Sequence, residues 1–454
     1  MGTRLFKNLT IATCDAQDTV LQEANLLVED NHIAFIGQQL PMAEQIIDCS
    51  GCIAIPGLIN GHHHLFQTLT RGLPVAQNVG LFAWLVNQYP IWAQLTPPML
   101  YSSAQIGLAE LLLSGCTTAS DMFYLFPRQS GVKLDYVIQA AQELGIRLYA
   151  GRGSMSKGQS SGGLPPDEVI QGTDEILADT ERLLSSYHEP EPAGMIRISV
   201  MPCSPFSVTD ELMRDSLALA RQERLLVQTH LAETLDEERY CLERFGKRPL
   251  AYLSELEWLG PDVSFAHGIH LDTAEIRLLG ETGTGIVHCP SSNMRLASGI
   301  APVVDLLAAG ATVGVGVDGS ASNDSGNLLL ELRQALLVGR LRSGPTFSAR
   351  SALALATSQG AKLLNRPEIG SLAVGKLADL AIFDLKRLEY AGAACHDPVA
   401  ALLLCQPTPP RYVLVNGRVV VADGRLLTID LERAVAEHNR LVIKLQESIA
   451  GAIA

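Results

Sequence analysis

Apolar runs with the composition of β-strands recur through the middle of the chain, and stretches with helical periodicity separate them. One run occurs about every 30 to 40 residues, which is typical of a parallel sheet with crossover helices. The predicted strands cover residues 58–64, 117–122, 147–153, 196–203, 225–230, 263–267, 285–289 and 312–318. This succession predicts an α/β fold, the (β/α)8 TIM barrel, whose reactive groups collect at the carboxyl ends of the strands.

The two ends of the chain carry shorter strand patterns with polar turns. Residues 24–37 form a strand–turn–strand pattern, and residues 412–421 form another that an Asn-Gly hairpin signal interrupts. We therefore predict one small β-sandwich domain built from residues 1–55 and 366–454, the second part ending in a helix. The barrel occupies residues 56–365 between them.

Ligand-type side chains close several of the predicted strands. His62 and His64 are two residues apart in a predicted strand, so both should face the same side. His230 and Asp318 end two later strands, and the carboxyl ends of barrel strands meet at one place. Three imidazole nitrogens and one carboxylate suit Zn²⁺ with a position open for water, and iron(II) would also fit. The sequence predicts a metal-dependent enzyme.

Two more polar residues belong to the same strand ends. Glu233 follows His230 by three residues, so it can take a proton from a metal-activated water and pass it to a substrate nitrogen. The alternative is a helix-start glutamate that the helix dipole stabilises. His267 ends the next strand and can hydrogen-bond the attacking water and the developing oxyanion. Its alternative is a buried structural histidine.

Composition and charge exclude several classes of protein. The chain has 454 residues, of which 47% are hydrophobic and 18% charged, as expected for a folded protein with a large core. A net charge of −14 argues against nucleic-acid binding, which needs clustered Lys and Arg. No apolar run of about 18 residues is present, and the nine cysteines are scattered. We expect a cytoplasmic protein with no membrane partner.

Two groups of motifs carry a resemblance to a known family. The chain resembles the amidohydrolase superfamily, in its purine, pyrimidine and triazine deaminase branch, through PGLINGHHH (56–64), THLAE (229–233), AHG (266–268), HCPSSN (288–293) and GVDGS (316–320). It is similar to 8-oxoguanine deaminases, often labelled hydroxyatrazine ethylaminohydrolases, through HLFQTLTR (64–71), WL (84–85), YPIW (89–92), LSGCTT (113–118) and NMRLASG (293–299).

The resemblance implies a reaction and roles for residues. The enzyme would hydrolytically remove an exocyclic amine from an oxidised purine, converting 8-oxoguanine to urate and ammonia, with guanine or isocytosine as lesser substrates. Glu233 would deliver the water's proton to the ring nitrogen, His267 would stabilise the tetrahedral oxygen, and Asp318 would relay a second proton to ammonia. Strand 196–203 lacks the lysine that bridges two metals in some members, so one divalent metal is implied. Alternatives are a triazine, pterin or pyrimidine aminohydrolase, or a non-catalytic barrel scaffold.

Substrate contacts are predicted from strand ends and from residues that follow the metal motif. Gln67 can both donate and accept hydrogen bonds to a purine edge, and Trp84 can stack on a flat ring. Arg152, Cys203 and His288 sit at other strand ends. Cys203 replaces a histidine that adenosine-type deaminases of this branch tend to have, which argues against an adenosine-like substrate. For each of the five, surface exposure or core packing is the alternative. The expected partners are a nucleobase-like molecule and further copies of the chain.

Overall fold

Strands and helices alternate along the chain as the apolar pattern predicts. The structure is a computed structural model that describes residues 2–453, with side chains described for residues 2–448. The strands are β1 (Thr3–Ala12), β2 (Val20–Glu29), β3 (His32–Gly37), β4 (Gln45–Asp48), β5 (Cys52–Pro56), β6 (Leu58–Asn60), β7 (His63–His64), β8 (Cys116–Phe123), β9 (Arg147–Ser154), β10 (Ile196–Pro202), β11 (Val227–Leu231), β12 (Val263–His267), β13 (Gly285–His288), β14 (Thr312–Val315), β15 (Asp318–Gly319), β16 (Leu380–Asp384), β17 (Tyr412–Val415), β18 (Arg418–Ala422) and β19 (Arg425–Leu426). The helices are α1 (Leu81–Trp92), α2 (Pro97–Leu112), α3 (Asp135–Leu144), α4 (Thr173–Tyr187), α5 (Asp210–Gln222), α6 (Leu235–Phe245), α7 (Pro249–Glu255), α8 (Thr273–Thr282), α9 (Pro290–Arg295), α10 (Val303–Ala308), α11 (Leu328–Ser343), α12 (Ala349–Leu355), α13 (Ser358–Leu363), α14 (Ala393–His396), α15 (Pro398–Leu404) and α16 (Leu431–Ile453).

The central sheet has eight strands in the order β14-β13-β12-β11-β10-β9-β8-β6. All neighbouring pairs in it are parallel, and the order follows the chain. The first and last strands meet where the Gly61 amide donates a hydrogen bond to the Val315 carbonyl at 2.8 Å. The predicted TIM barrel is therefore confirmed, and its carboxyl-terminal strand ends gather the side chains of interest.

The first and last predicted strands differ in detail from the prediction. Each breaks in two, so that β6 is followed by β7, and β14 by β15, and the short strands pair with Asp318 opposite His63. His62 lies in the break, where its carbonyl accepts from the Asp318 amide at 3.1 Å. The alternation of one continuous strand is therefore not what brings His62 and His64 together. The chain turns at this point, and both imidazoles still face the barrel mouth.

Strands from both ends of the chain form a second sheet. Its order is β19-β18-β17-β16-β5-β1-β2-β3, and β4 pairs with β1. A buried ion pair joins this part to the barrel, because the Arg147 Nη2 atom at the start of β9 lies 3.0 Å from Oδ1 of Asp379, just before β16. The prediction that both ends build one β-structure is confirmed. The domain boundaries at residues 55/56 and 365/366 stay predictions.

The last helix, α16, packs on the barrel. Its His438 is buried, with Nδ1 3.2 Å from the Ser102 hydroxyl of α2. Within residues 2–453, no helix combines the length and the apolar character needed to cross a membrane.

Candidate active site

A cavity opens at the carboxyl ends of the barrel strands, with about 410 Å³ of empty space that includes solvent at its mouth. One part of its lining is polar and contains His64, His230, Glu233, His267 and Asp318. Another part is apolar and contains Leu81, Trp84, Leu85, Phe206 and Leu296. A small pocket with an apolar wall and a few converging polar groups is typical of a binding site for a small flat molecule.

Four imidazoles and one carboxylate converge beside this cavity. The Oδ1 atom of Asp318 lies 3.5 Å from Nε2 of His62 and 3.3 Å from Nε2 of His64. The Nε2 atoms of His64 and His230 are 3.1 Å apart. Nε2 of His267 lies 3.9 Å from Oδ2 of Asp318. Residues predicted from distant parts of the sequence are therefore brought together at one point.

Each of the four imidazoles is oriented by a hydrogen bond from Nδ1. The partners are all carbonyl-type oxygens: the side chain of Gln228 for His62 at 2.6 Å, the Met122 carbonyl for His64 at 2.8 Å, the Cys203 carbonyl for His230 at 2.6 Å, and the side chain of Asn293 for His267 at 2.8 Å. A carbonyl oxygen can only accept, so Nδ1 carries the hydrogen and Nε2 keeps its lone pair. Metal-ligating histidines are held in this way.

The environments of His64 and His230 keep these two imidazoles neutral. Burial and the neighbouring His62 together lower the pKa of His64 to about 3. Burial also lowers the pKa of His230 well below its ordinary value. Neutral imidazoles are the form that binds a metal ion.

The donor set fits a divalent cation. Nε2 of His62 is buried and has no hydrogen-bond partner, although it faces a carboxylate. Lone pairs that face each other without a proton between them need a cation to be stable. Ligand atoms of His62, His230, His267 and Asp318 all lie within 4.8 Å of one another. His267 is thus close enough to be a ligand as well, whereas the sequence suggested a catalytic role alone.

Glu233 lies next to this cluster. Its Oε2 atom is 3.6 Å from Nε2 of His267, and its Oε1 atom is buried without a hydrogen-bond partner. Burial and the nearby charge of Asp318 raise the pKa of Glu233 well above the usual value of a glutamate. A carboxyl group in such surroundings is suited to accept and donate a proton during catalysis.

The backbone is strained at three points of the site. Ala232, His267 and Asp318 have φ angles of 52°, 77° and 60°, in the left-handed region that residues other than glycine seldom adopt. Such conformations persist only where the surrounding structure enforces them, and they cluster at functional sites.

One glycine has a packing role here, because a Cβ at Gly316 would lie 2.8 Å from the backbone nitrogen of His62.

Three of the five predicted substrate contacts line the cavity: Gln67, Trp84 and Cys203. The Oε1 atom of Gln67 accepts from the Ala321 amide at 3.3 Å, and the indole Nε1 of Trp84 donates to the Ala321 carbonyl at 3.2 Å. Both side chains are thereby fixed in position. The roles of all three toward a substrate stay predictions.

The other two do not line the cavity. Arg152 is fully buried, and its guanidinium donates to Asp179 at 2.7 Å and to Gln171 at 2.8 Å and stacks on Phe126. His288 is buried away from the cavity lining. A side chain near the end of a barrel strand points either into the barrel or toward the surrounding helices. Its position in the sequence alone does not tell which.

Sequence reasoning missed Tyr89, Tyr124 and Ser322, which also line the cavity. The Tyr89 hydroxyl is buried with no hydrogen-bond partner in the protein. The Tyr124 ring packs edge-on against His64, with centroids 5.1 Å apart. Tyr124 directly follows β8, which was a usable signal. Tyr89 comes from α1, whose docking on the barrel mouth no local pattern predicts.

The comparisons with known proteins agree with one another. The family model described as "Amidohydrolase family" matches residues 53–420. An 8-oxoguanine deaminase of Pseudomonas aeruginosa is 50% identical over 437 residues, covering 95% of this chain and 96% of that protein. A hydroxydechloroatrazine ethylaminohydrolase of Pseudomonas sp. strain ADP is 38% identical, with 98% and 96% covered. The crystal structure of an atrazine chlorohydrolase of Arthrobacter aurescens TC1 complexed with zinc has a TM-score of 0.92 at 34% identity, covering 97% of this chain and all of that one.

Proposed function

Because this chain belongs to the amidohydrolase family, we propose that it is a metal-dependent aminohydrolase that converts 8-oxoguanine to urate and ammonia. The observation that carries the substrate assignment is the 50% identity to an 8-oxoguanine deaminase over 95% of the chain. The expected family membership is confirmed. Guanine and isocytosine share the amidine group of 8-oxoguanine and are lesser substrates.

His62, His64, His230 and Asp318 would hold one divalent cation, which leaves Nε2 of His267 available to contact the attacking water. Zinc is the first candidate because the atrazine chlorohydrolase with the same fold was crystallised with zinc, and iron(II) suits the same nitrogen and oxygen donors. When bound, the cation supplies Lewis-acid activation of a water molecule.

Glu233 moves the protons of the reaction. Its carboxylate takes a proton from the attacking water and delivers it to the ring nitrogen beside the carbon that bears the amine. A pKa raised by burial and by Asp318 makes the protonated form accessible for this delivery. Asp318 carries the second proton to the departing ammonia.

The hydrogen bond to Asn293 bears on what His267 can do in the proposed reaction. Since its Nδ1–H is engaged by Asn293, the neutral ring presents a lone pair at Nε2. It therefore accepts a hydrogen bond from the attacking water and orients it. Donation to the tetrahedral oxygen requires a proton on Nε2, which Glu233, 3.6 Å away, is placed to share.

The ring lies between the apolar wall and the polar groups of the cavity. Trp84 contributes a flat surface, and Gln67 presents both a donor and an acceptor. Tyr89 supplies a buried hydroxyl that needs a partner, and the oxygens of an oxidised purine are suitable acceptors. Arg152 and His288 contact no substrate in this assignment, because neither lines the cavity.

A triazine aminohydrolase is the second candidate, supported by 38% identity to a hydroxydechloroatrazine ethylaminohydrolase. The apolar residues Leu81, Leu85 and Leu296 could receive an N-ethyl group. A cytoplasmic location and a homo-oligomeric assembly stay predictions.

Amine release from a panel of bases tests the assignment. Zinc-loaded protein is incubated with 8-oxoguanine, guanine, isocytosine, isoxanthopterin and hydroxyatrazine, and ammonia or ethylamine is measured. We expect the highest kcat/KM with 8-oxoguanine. Glu233→Gln should retain the metal and lose at least about 100-fold in kcat. Preference for hydroxyatrazine would support the second candidate, and no turnover of any base by metal-loaded protein would reject the proposal.

A further inference from the structure

Glu237 on α6 is a buried carboxylate that does not line the cavity. Its Oε1 atom accepts a hydrogen bond from the Ala232 amide at 2.9 Å, and its Oε2 atom accepts one from the Glu233 amide at 2.8 Å. Each carboxylate oxygen of Glu237 thus accepts one hydrogen bond, and the two donors are consecutive peptide N–H groups of one turn. That turn carries Glu233, so the inference below rests on the function proposed above for Glu233.

This arrangement is not an ordinary helix cap. In a capping box, the glutamate at the third helical position accepts from the backbone amide of the N-cap residue. The start of α8 shows this pattern, because Glu275 accepts from the Asp272 amide at 2.8 Å. At the start of α6 the N-cap residue is Thr234, and Glu237 instead reaches past it to the two residues before the cap.

The two amides that Glu237 binds belong to a strained turn. Ala232 has a φ of 52°, which an alanine seldom adopts. The Ala232 carbonyl is also fixed, since it accepts from the amides of Ile269 and His270 at 3.0 and 2.9 Å. The turn is therefore held on one side by Glu237 and on the other by the segment that follows His267. Without Glu237, two buried N–H groups would lack acceptors, and the conformation at Ala232 would lose one of its two supports.

We propose that Glu237 is a positioning residue for the reaction. It holds Ala232 in the left-handed conformation, and this turn directs the Glu233 carboxyl toward His267 and the substrate nitrogen. Binding of the purine ring depends on other side chains of the cavity. Loss of Glu237 therefore lowers the rate of proton transfer and leaves substrate binding in place.

The variant Glu237→Gln tests this directly. The side-chain oxygen of glutamine can still accept one of the two hydrogen bonds. Its NH₂ group is a donor, so it would face the other backbone N–H with no acceptor between them. We expect kcat to fall by about 10- to 100-fold, as for other small misplacements of a catalytic group, with KM changed less than about twofold. Metal content should equal that of the wild type. Glu243→Gln, an exposed change on the same helix, is the matched control and should keep full activity.

A second substitution separates positioning from general stability. If Glu237 acts by enforcing the conformation of Ala232, then Ala232→Gly should restore part of the activity, because glycine adopts positive φ without strain. We expect the double variant Glu237→Gln/Ala232→Gly to recover at least about fivefold in kcat over Glu237→Gln alone. A helix-capping role would give no such rescue, since glycine at position 232 does not restore a cap.

Several results would overturn the proposal. These are a kcat of Glu237→Gln within about twofold of the wild type, a loss that falls on KM or on metal content, and an absence of rescue by Ala232→Gly. If Glu237→Gln does not fold, Glu237→Asp replaces it, since the shorter side chain cannot reach both amides. For Glu237→Asp we again expect kcat to fall while KM changes less than about twofold. A kcat equal to that of the wild type would reject the proposal.

Failure of the proposed function can be told apart from failure of this inference. If the proposed function is wrong, the metal-loaded wild type turns over none of the bases. A crystal structure of Glu237→Gln then gives the answer without a rate: Ala232 leaving the positive-φ region supports the positioning role, and an unchanged turn contradicts it.

Discussion

The imidazole Nδ1 of His62 lies 2.6 Å from the side-chain oxygen of Gln228, and both residues are buried. The Gln228 amide nitrogen donates to the Gly61 carbonyl and to the Ser264 hydroxyl, each at 3.1 Å. These two bonds fix the amide with its oxygen toward His62. The hydrogen of His62 is therefore kept on Nδ1, and the lone pair of Nε2 points toward Asp318. A neutral side chain outside the proposed ligand set thus determines the tautomer of a proposed ligand.

Replacing Gln228 should weaken metal binding. In Gln228→Ala the imidazole loses its acceptor, so its orientation and tautomer are no longer fixed. We expect the affinity for zinc to fall by about 10- to 100-fold, measured by competition with a chromophoric chelator. Gln222→Ala, an exposed change at the end of α5, should bind zinc as the wild type does. Equal affinity in Gln228→Ala would contradict the assignment of His62 as a ligand.

Removing the Tyr89 hydroxyl should separate activity from stability. The hydroxyl is buried with no partner in the protein, so Tyr89→Phe removes an unsatisfied group and should not lower the melting temperature. If the hydroxyl donates to a substrate oxygen, kcat/KM for 8-oxoguanine should fall by about tenfold or more. Steady-state kinetics and thermal unfolding measure the two effects.

Tyr390→Phe is the matched control for Tyr89. Tyr390 is also buried, but its hydroxyl pairs with the Thr408 hydroxyl at 3.0 Å, outside the cavity. The expected pattern is the reverse: a lower melting temperature and unchanged kinetics. If Tyr89→Phe behaved like this control, Tyr89 would have no role in substrate binding.

The cluster of imidazoles around Asp318 could be predicted because barrel topology relates sequence to space. His230 and Asp318 end separate strands, and the fold brings all such ends to one mouth whatever their sequence separation. The local geometry at His62 could not be predicted. There the strand breaks, and pairing with a segment far along the chain decides where the side chains point.

The cavity wall was predicted less well than the cluster. Arg152 and Cys203 are both near strand ends, yet one is turned into an ion pair with Asp179 and the other lines the cavity. That choice depends on the neighbours across the barrel, which no single segment encodes. The same holds for Tyr89, whose place in the cavity wall is set by how α1 docks on the barrel.

The buried Glu331 should make stability depend on pH. Burial raises its pKa from 4.5 to about 7, against hydrogen bonds from Ser291 and Asn323 that lower it. The unfolded chain releases this proton near pH 4.5 and the folded protein near pH 7. Stability from this group is therefore highest below pH 4.5 and declines up to about pH 7, by about 3 kcal/mol for a shift of this size.

Glu331→Gln tests this effect, since glutamine has no proton to release. The gap in melting temperature between pH 5 and pH 8 should be smaller in the variant than in the wild type. The exposed change Glu243→Gln should leave the gap unchanged. An identical gap in Glu331→Gln and wild type would show that the Glu331 carboxyl titrates normally in the folded protein.

Breaking the ion pair between Arg147 and Asp379 should destabilise the protein without altering catalysis. The guanidinium contacts both carboxylate oxygens, at 3.0 and 3.2 Å, and both residues are buried. Asp379→Asn leaves a buried guanidinium uncompensated, which costs about 3 to 5 kcal/mol in comparable cases. Arg147 begins β9, at the end of the barrel opposite the cavity, so zinc content and kcat/KM at 20 °C should match the wild type. Thermal unfolding and kinetics measure both, with the exposed change Arg440→Met on α16 as a control that leaves the melting temperature unchanged. A loss of activity in folded Asp379→Asn would show instead that the second sheet influences the active site.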